Sequence, residues 1–383
     1  MNNIPFVKYT VNGNNFVIVD ETVQSLLTEA EKSAFAYRAT NTCFGIGADN
    51  LLIVQACRAE VLAEINQARH YWDKQPDCGQ ADFVFRMFEP NGEEALCCGN
   101  GLICIANYLF QQYGIEATQI MTEIPFGKPN VVRIGSRSES SSWANMGYPR
   151  RTPQALIDRS ALSAFSADID TIGNLKITFR SHDLKPFTDE TALSLNGYLV
   201  FTGEPHLVFL IDEQALIAGL GRTLFASLDN ETGNHLEKRI NFGSWLIDHI
   251  GGYLNKRYAT IFPQGINVNF VRFNRITHEV EYRCFERGIN RETLACGTGA
   301  LAVAYIARRL GLVNDKYTAV VPHRCTWYEP AARLHIEEGD SGWIIHGNPT
   351  LLYTGAFRQS SSRGNVEADA PRQSLGQIRM AVA

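Results

Sequence analysis

Short runs of alternating apolar and polar residues along the chain predict β-strands that are buried on one face. The segment Asn12-Gly13-Asn14-Asn15 separates the first two runs and favours a tight hairpin turn. Residues 57–80 break the alternation, and apolar side chains at helical spacing there predict an inserted amphipathic helix. The strand-like runs are residues 6–9, 16–19, 51–54, 83–88, 207–211, 267–271 and 282–286.

The elements of the first half recur in the same order in the second half. The segment 85–89, Phe-Arg-Met-Phe-Glu, matches 282–286, Tyr-Arg-Cys-Phe-Glu. Each segment is followed by a Cys-Gly-x-Gly turn, at Cys98 and Cys296, and each turn begins an apolar helix. Two long matches in the same order indicate an internal duplication. Such a duplication predicts two similar lobes that face one cleft.

Length and charge limit the kind of protein this can be. The 383 residues exceed the roughly 100–200 expected of one domain, so two domains or one two-lobed unit is expected. A net charge of −5 without blocks of one sign argues against a basic surface for nucleic acid. No apolar run reaches the roughly 18–20 residues that span a bilayer, and the first residues lack signal-peptide features. We therefore expect a cytoplasmic protein without a membrane or nucleic-acid partner.

Nine cysteines are present, without the paired spacings of a structural zinc site. In a reducing compartment they are expected to be free thiols, and most free cysteines are small buried apolar residues. We apply that interpretation to Cys43, Cys57, Cys104, Cys284 and Cys325.

Cys98 and Cys296 differ from these because each precedes a glycine-flanked turn at a helix start. The open N–H groups and the helix dipole there form a site for a carboxylate, and the same field is expected to lower the thiol pKa from about 8.5. Inverting a carbon through a planar carbanion needs a base on one face and an acid on the other. Two matched thiols across a cleft supply both groups. A single such turn is also explained as a helix cap beside a buried cysteine.

The ordered set of motifs between residues 5 and 358 resembles the diaminopimelate epimerase family of PLP-independent amino-acid racemases. The set runs N-G-N-N-F, G-I-G-A-D, N-G-x-E with C-G-N-G, M-G-Y-P, G-x-P-H, N-V-N-F-V, and E-R-G with A-C-G-T-G. The resemblance implies acid/base catalysis by Cys98 and Cys296 on an amino acid, without cofactor or metal, and tuning of the thiol pKa by His206 and Glu286. The implied substrate-binding residues are Asn14, Asn50, Glu89, Gly99, Asn100, Glu204, Asn267, Glu286, Arg287, Gly297 and Thr298.

Several of these residues also have a structural explanation. Asn14 would fit a left-handed turn position, and Asn267 a strand end. His206 would serve as a hydrogen-bonded structural histidine. Glu286 and Arg287 would form a surface ion pair of little consequence.

The chain departs from the family pattern at the side-chain end of the expected pocket. Glu89 and Glu204 stand where the family commonly has asparagines, and Ile103 stands where it has arginine. Two carboxylates there are expected to repel a second substrate carboxylate and to attract an ammonium or imidazolium group. Arg287 would neutralise one of them if it lay close enough.

The duplication and the resemblance predict an α+β fold of two pseudo-symmetric lobes, each a curved, mostly antiparallel sheet wrapped around a central helix. The helices after Cys98 and Cys296 are expected at these centres because they are the most apolar. The active site is expected in the cleft between the lobes. The predicted units are a first lobe of residues 1–145 with a returning strand at 346–358, a second lobe of 146–345, and a disordered tail of 359–383.

Three functions remain open at this point. The first is a cofactor-independent diaminopimelate epimerase, converting the LL to the meso isomer, which is an isomerase of lysine biosynthesis. The second is the same chemistry on histidine, lysine or ornithine. The third is a binding protein that keeps the fold without turnover, and the presence of both cysteines argues against it. The resemblance is also compatible with a homodimer, and insertions at 57–80 and 150–195 make the chain long for the family.

Overall fold

The computed structural model describes residues 3–180, 191–213, 220–226, 234–274, 277 and 279–358. The tail predicted to be disordered, residues 359–383, lies outside the described residues. The strands are β1 (Asn3–Val11), β2 (Asn14–Glu21), β3 (Asn50–Ala56), β4 (Phe83–Phe88), β5 (Glu94–Ala95), β6 (Ala117–Thr122), β7 (Asn130–Ser138), β8 (Ser141–Asn145), β9 (Ser163–Ala164), β10 (Asp170–Thr178), β11 (Ala192–Phe201), β12 (Pro205–Leu210), β13 (Asn267–Phe273), β14 (Val280–Glu286), β15 (Arg291–Thr293), β16 (Tyr317–Pro322), β17 (Leu334–Gly339), β18 (Gly342–Gly347) and β19 (Thr350–Arg358). The helices are α1 (Glu29–Ala39), α2 (Ala59–Arg69), α3 (Gly99–Tyr113), α4 (Leu220–Leu224), α5 (Asn234–Arg257) and α6 (Gly297–Arg309).

Two halves of the sheet repeat the same order of strands. In the first half the order is β19, β1, β2, β3, β4, β6, β7, β8. In the second half it is β9, β10, β11, β12, β13, β14, β16, β17, β18. Parallel pairs occur at β2–β3 and β4–β6, and again at the equivalent β12–β13 and β14–β16. The remaining pairs are antiparallel, as predicted, and β8 pairs with β18 to join the halves.

Each half of the sheet curves around one buried helix. The helix α3 contacts β1 and β2 and also β7, β8 and β18. The helix α6 contacts β11 to β14 and also β16 to β18. Residues 99–109 and 297–307 of these helices are all buried, because apolar side chains cover most of both surfaces. The predicted central helices and the two-lobed α+β fold are confirmed. The domain boundaries remain a prediction.

The first hairpin explains why Asn14 does not occupy a turn position. Asn12 and Gly13 both have positive φ, 51° and 83°, which is the conformation of a two-residue type I′ turn. Asn14 is already the first residue of β2 and pairs with Val11. The left-handed interpretation of Asn14 is therefore wrong, and its side chain needs another explanation.

The duplication extends to a buried ion pair in each lobe. Arg86 on β4 donates to both carboxylate oxygens of Glu94, at 2.7 and 2.6 Å. Arg283 on β14 donates to both oxygens of Glu292, at 2.5 and 2.6 Å. Glu94 and Glu292 each lie four residues before the cysteine of their lobe. The matched pairs fix the strand that precedes each Cys-Gly-x-Gly turn.

Two other expectations are settled by the fold. The amphipathic helix predicted within 57–80 is α2, and it buries Leu62 and Ile65. Among the five cysteines interpreted as buried apolar residues, Cys104, Cys284 and Cys325 are buried and Cys57 is half-buried. Cys43 is exposed, so the interpretation is wrong there. No helix in the described part of the chain is both long and apolar enough to cross a membrane.

Candidate active site

A pocket of about 380 Å³ lies between the two lobes and is lined by both. The predicted site residues Gly99, Asn100 and His206 do not line it and lie buried behind its surface. The predicted residues that do line it are Asn14, Asn50, Glu89, Cys98, Glu204, Asn267, Glu286, Arg287, Cys296, Gly297 and Thr298. The fold thus brings most of the predicted set to one pocket, while the roles given to its members stay predictions.

Cys98 and Cys296 are the N-cap residues of the two central helices. The Gly101 N–H donates to the Cys98 Sγ at 3.3 Å, so this sulfur itself caps α3. The two helix starts touch backbone to backbone. A Cβ on Gly297 would lie 2.8 Å from the backbone nitrogen of Asn100, and a Cβ on Gly99 would lie 3.3 Å from the carbonyl carbon of Gly297. Glycine is required at this contact, which brings both sets of open helix N–H groups to one place.

Polar side chains behind the pocket hold the two turns. The Asn100 amide donates to the Asn14 Oδ1 at 2.6 Å, which ties α3 to the first hairpin. The Thr202 hydroxyl donates to the Thr298 carbonyl at 2.8 Å, which ties α6 to the end of β11. These bonds explain why Asn14 is buried in a strand. Its side chain orients the turn after Cys98.

His206 reaches Cys296 through one intermediate residue. The Asn269 amide donates to the His206 Nδ1 at 3.0 Å, so the ring proton lies on Nε2. Nε2 donates to the Thr298 Oγ1 at 3.0 Å, and that oxygen lies 3.5 Å from the Cys296 Sγ. Burial lowers the pKa of His206 to about 3, so the ring is neutral. The Thr298 hydroxyl is left with its own proton to donate to the sulfur.

Tyr282 clamps the backbone of Cys296 and was not found from the sequence. Its hydroxyl donates to the Cys296 carbonyl at 2.9 Å and accepts from the Cys296 N–H at 2.8 Å. Tyr282 begins the repeated segment 282–286, so the duplication contained the signal. Leu156 and Phe126 also line the pocket, and no sequence motif marks them.

The expected lowering of the thiol pKa does not hold at Cys98. Burial raises the pKa of the Cys98 thiol well above its ordinary value, and the hydrogen bond from Gly101 lowers it only in part. Neighbouring groups of like charge, Glu286 and Cys296, raise it further. The loss of water around the sulfur therefore outweighs the helix N-terminus, and Cys98 holds its proton at neutral pH.

Glu204 forms an ion pair with Arg287 inside the pocket wall. Its Oε2 accepts from the Arg287 Nη2 at 2.5 Å and from Nε at 2.9 Å. Its Oε1 accepts from the backbone N–H groups of Leu96 and Cys97, at 3.1 and 3.3 Å. The predicted surface ion pair between Glu286 and Arg287 is thus wrong. Arg287 neutralises Glu204 instead.

Glu89 and Glu286 occupy equivalent places in the two lobes and are both half-buried. The Asn50 amide donates to the Glu89 Oε2 at 2.9 Å. Burial raises the pKa of Glu89 to about 8, and the nearby Glu286 and Glu204 carboxylates add to the shift. Burial also raises the pKa of Glu286 to about 7. The side-chain end of the pocket therefore carries less negative charge at pH 7 than its carboxyl count suggests.

Asn267 combines a structural contact with a place in the pocket. Its Oδ1 accepts from the Arg287 N–H at 2.9 Å, at the first residue of β13. The strand-end explanation therefore holds for the oxygen. Asn267 also lines the pocket.

Comparison with known proteins places the chain in a family. The family model for diaminopimelate epimerase matches residues 6–149. A protein named diaminopimelate epimerase from Archaeoglobus fulgidus is 28% identical over 365 residues, covering 95% of this chain and 99% of that protein. One from Methanothrix thermoacetophila is 31% identical over 319 residues, covering 82% of this chain and 85% of that protein.

Solved structures agree with the fold. A hydroxyproline epimerase from Agrobacterium vitis, with bound trans-4-hydroxy-L-proline, is 11% identical with a TM-score of 0.55, and each chain is covered to 92%. A probable proline racemase from Agrobacterium radiobacter is 10% identical with a TM-score of 0.53, covering 94% of this chain and 93% of that one. The sequence relatives carry the assignment and confirm the resemblance seen in the motifs. The chain belongs to the diaminopimelate epimerase family and is an isomerase.

Proposed function

We propose that this protein inverts the α-carbon of diaminopimelate by a two-thiol acid/base mechanism. One observation carries the proposal. Cys98 and Cys296 cap two buried helices whose starts touch, and both line one pocket. No other cysteine except Cys97 lines that pocket in the described residues. Cys97 is almost fully buried, and burial raises its pKa.

In this mechanism the two sulfurs exchange a proton with opposite faces of one carbon. The thiolate of one cysteine removes the α-proton, and the thiol of the other donates a proton to the other face. The reverse reaction uses the same groups in exchanged roles. The Thr298 hydroxyl supports the thiolate at Cys296, because it lies 3.5 Å from that sulfur. Cys98, which holds its proton, supplies the acid.

The α-carboxylate of the substrate belongs at the paired helix starts. The N–H groups after Gly99 and Gly297 converge there, and the backbone contact between the helices fixes their direction. Negative charge grows on this carboxylate as the α-proton leaves, so donors already in place stabilise the transition state more than the substrate.

The distal carboxylate of diaminopimelate fits a protonated Glu89. A carboxylic acid donates one hydrogen bond, as an asparagine amide would at the same place. With a pKa of about 8, Glu89 is mostly protonated at pH 7. The amides of Asn50 and Asn267 lie in the same pocket. The expected repulsion from Glu204 is offset by Arg287.

Single replacement of the cysteines tests the mechanism. Cys98→Ala and Cys296→Ala should each reduce epimerisation by about 10²–10⁴-fold, because one face then lacks its acid or base. Each variant should still exchange the α-proton of one stereoisomer with deuterium from heavy water. Cys325→Ala, which removes a buried cysteine outside the pocket, is the matched control. Near-normal epimerisation by either active-site variant would overturn the two-thiol proposal.

A second candidate is a racemase of histidine, lysine or ornithine. Five carboxyl groups line the pocket beside one guanidinium, that of Arg287; they belong to Glu89, Glu93, Glu94, Glu204 and Glu286. The cationic side chain of such a substrate would stabilise the ionised form of Glu89 and be attracted by its carboxylate. Deuterium wash-in across a panel of these amino acids and diaminopimelate separates the candidates. The double change Glu89→Asn with Glu204→Asn should raise the preference for diaminopimelate if the glutamates select a cation.

We also propose a cytoplasmic, homodimeric protein. All nine cysteines are free thiols, and chemistry on two of them requires a reducing compartment. The edge strand β19 exposes Leu351, Leu352 and Tyr353, with 37%, 49% and 46% of their surface accessible. An apolar edge of this kind suits pairing with a second copy. Light scattering on the purified protein measures the mass, and charged replacements at Leu352 should shift it to that of one chain.

A further inference from the structure

Three side chains of the kind that bind metal ions meet at Cys296. Cys284 and Glu286 belong to β14, and Cys296 caps α6. The two sulfur atoms and a carboxylate oxygen of Glu286 all lie within 4.8 Å of one another. Neither the catalytic proposal nor the family comparison uses Cys284.

Rigid elements hold the three groups. Residues two apart on a strand face the same side, so Tyr282, Cys284 and Glu286 share one face of β14. Tyr282 fixes the Cys296 backbone through two hydrogen bonds, and the Thr293 hydroxyl donates to Glu286. The cluster is therefore preformed, which lowers the cost of binding an ion.

The ligand atoms of Cys284, Glu286 and Cys296 favour a thiophilic divalent cation. Two thiolates and one carboxylate match the ligands of Zn²⁺ and of the softer Cd²⁺, and a site with three protein ligands keeps a fourth position open. Cys284 is buried at 2% exposure and does not line the pocket, whereas Cys296 and Glu286 do. We therefore expect the open position to face the pocket, where water or a substrate carboxylate would complete the coordination.

The first lobe lacks this arrangement at the equivalent place. The duplication aligns Met87 with Cys284, Glu89 with Glu286 and Cys98 with Cys296. A thioether is a weak ligand for zinc compared with a thiolate. An ion that binds strongly to this cluster is thus directed to the second lobe.

We propose that Cys284, Glu286 and Cys296 form an inhibitory binding site for Zn²⁺ or a similar thiophilic cation. Binding releases the thiol protons of Cys284 and Cys296 to solvent as the two sulfurs bind the ion as thiolates, so the Cys296 sulfur no longer exchanges a proton with the substrate. Removal of the ion by a chelator restores the thiols. The inhibition rests on the proposed catalytic role of Cys296, whereas the binding does not.

Two measurements on the full-length protein test the site. Zn²⁺ is titrated by calorimetry and Cd²⁺ by its thiolate charge-transfer absorption, and epimerisation is assayed at each Zn²⁺ concentration. The wild type should bind one ion per chain, lose activity as the ion binds and recover it with a chelator. Cys284→Ala should remain active without metal and need over about 100 times more Zn²⁺ for the same inhibition. That shift exceeds the roughly 10–100-fold loss seen when only a group supporting a ligand is removed.

Controls separate this site from other thiols and from the proposed function. Cys325→Ala should stay as sensitive to Zn²⁺ as the wild type. Cys284→Val, which suits a strand, replaces Cys284→Ala if alanine impairs folding. Unchanged Zn²⁺ inhibition in both Cys284 variants would overturn the proposal, since Cys98 and Cys296 would then hold the ion by themselves. Absence of binding in the wild type would also overturn it. If Cd²⁺ absorption depends on Cys284 but no amino acid is epimerised, the metal site stands and the proposed function fails.

Discussion

Glu89 shows how burial changes the meaning of a substituted residue. A carboxylate among family asparagines suggests a pocket for a cation, but this carboxyl group lies between Asn50 and two other acidic side chains. Keeping three negative charges together in a half-buried site costs more than keeping a proton on one of them. At pH 7 the protonated group resembles the asparagine it replaces in hydrogen bonding.

The charge state of Glu89 predicts a pH dependence of substrate binding. Above its pKa of about 8, Glu89 ionises and repels the distal carboxylate of diaminopimelate. The KM of the wild type should therefore rise about tenfold between pH 7 and pH 9. Glu89→Gln should keep the pH 7 value and remove most of this rise, because its amide does not ionise. KM measured across this range for both proteins is the test, with Glu60→Gln on the exposed face of α2 as control. An equal rise in Glu89→Gln would assign the titration to another group.

At the scale of elements, the repeated Arg–Glu pairs connect each sheet to the turn that carries its cysteine. Arg283 is almost fully buried and also donates to the Leu224 carbonyl at 2.6 Å. Its partner Glu292 belongs to β15, four residues before Cys296. The pair therefore sets the path of the chain from β14 into α6. Arg86 and Glu94 do the same before α3.

Removing one member of this pair should destabilise the protein strongly. Arg283→Met leaves Glu292 buried without its partner, which is expected to cost about 3–5 kcal/mol of the free energy of unfolding. Arg272→Met is the control, because its pair with Glu281 is partly exposed and should contribute within about 1 kcal/mol. Chemical denaturation of both variants measures the difference. Equal losses in the two variants would show that burial of the pair does not decide its contribution.

The sequence predicted repeated elements better than the contacts between them. Strand β4 was predicted at residues 83–88, where the structure has it, and α6 was placed after Cys296 from its apolar spacing. Periodicity and glycine turns are local signals, so both can be recognised in the sequence without knowledge of the fold. The Glu204 contacts to Leu96 and Cys97 span more than 100 residues of sequence, and no local pattern encodes them. Asn14 shows the same limit, since the partner of its buried side chain is Asn100 on the distant helix α3.

The prediction of a lowered thiol pKa at Cys98 was wrong for a different physical reason. The helix N-terminus at Cys98 was correctly located, and its field favours a thiolate. Desolvation of the sulfur opposes that field and is larger, but burial is known only after the lobes are assembled. The direction of a pKa shift that depends on burial cannot be predicted from the motif alone.

At the scale of the whole molecule, buried neutral histidines make the free energy of unfolding depend on pH. Burial lowers the pKa of His323 to about 3, against 6.5 for an unfolded chain. The Arg283, Arg272 and Arg324 guanidinium groups also disfavour its charged form, while the Glu281 carboxylate lies 3.7 Å from its Nδ1. Below pH 6.5 the unfolded chain takes up a proton that the folded chain does not. Stability from this residue is therefore complete above pH 6.5 and is lost as the pH falls toward 3.

Replacing His323 should reduce the acid sensitivity of folding. Between pH 7 and pH 5 the wild type is expected to lose about 2 kcal/mol through this residue alone, and His323→Gln should not lose that part. The variant is less stable at pH 7, because a packed ring is removed, so the pH slope rather than the absolute stability is compared. Urea denaturation at several pH values gives the slope for each protein. Parallel curves would mean that His323 becomes protonated in the folded state.

The pairing of β19 with β1 has a consequence for how the protein forms during synthesis. β1 is among the first strands made, and its neighbour β19, residues 350–358, is the last strand of the described chain. The strands β9 to β18 of the other lobe are consecutive in sequence, so that sheet can assemble as it leaves the ribosome. The first lobe instead keeps this edge of β1 open until residues 350–358 have been translated. The lobe that is begun first is therefore completed last, and an interrupted nascent chain presents an unpaired strand to its neighbours.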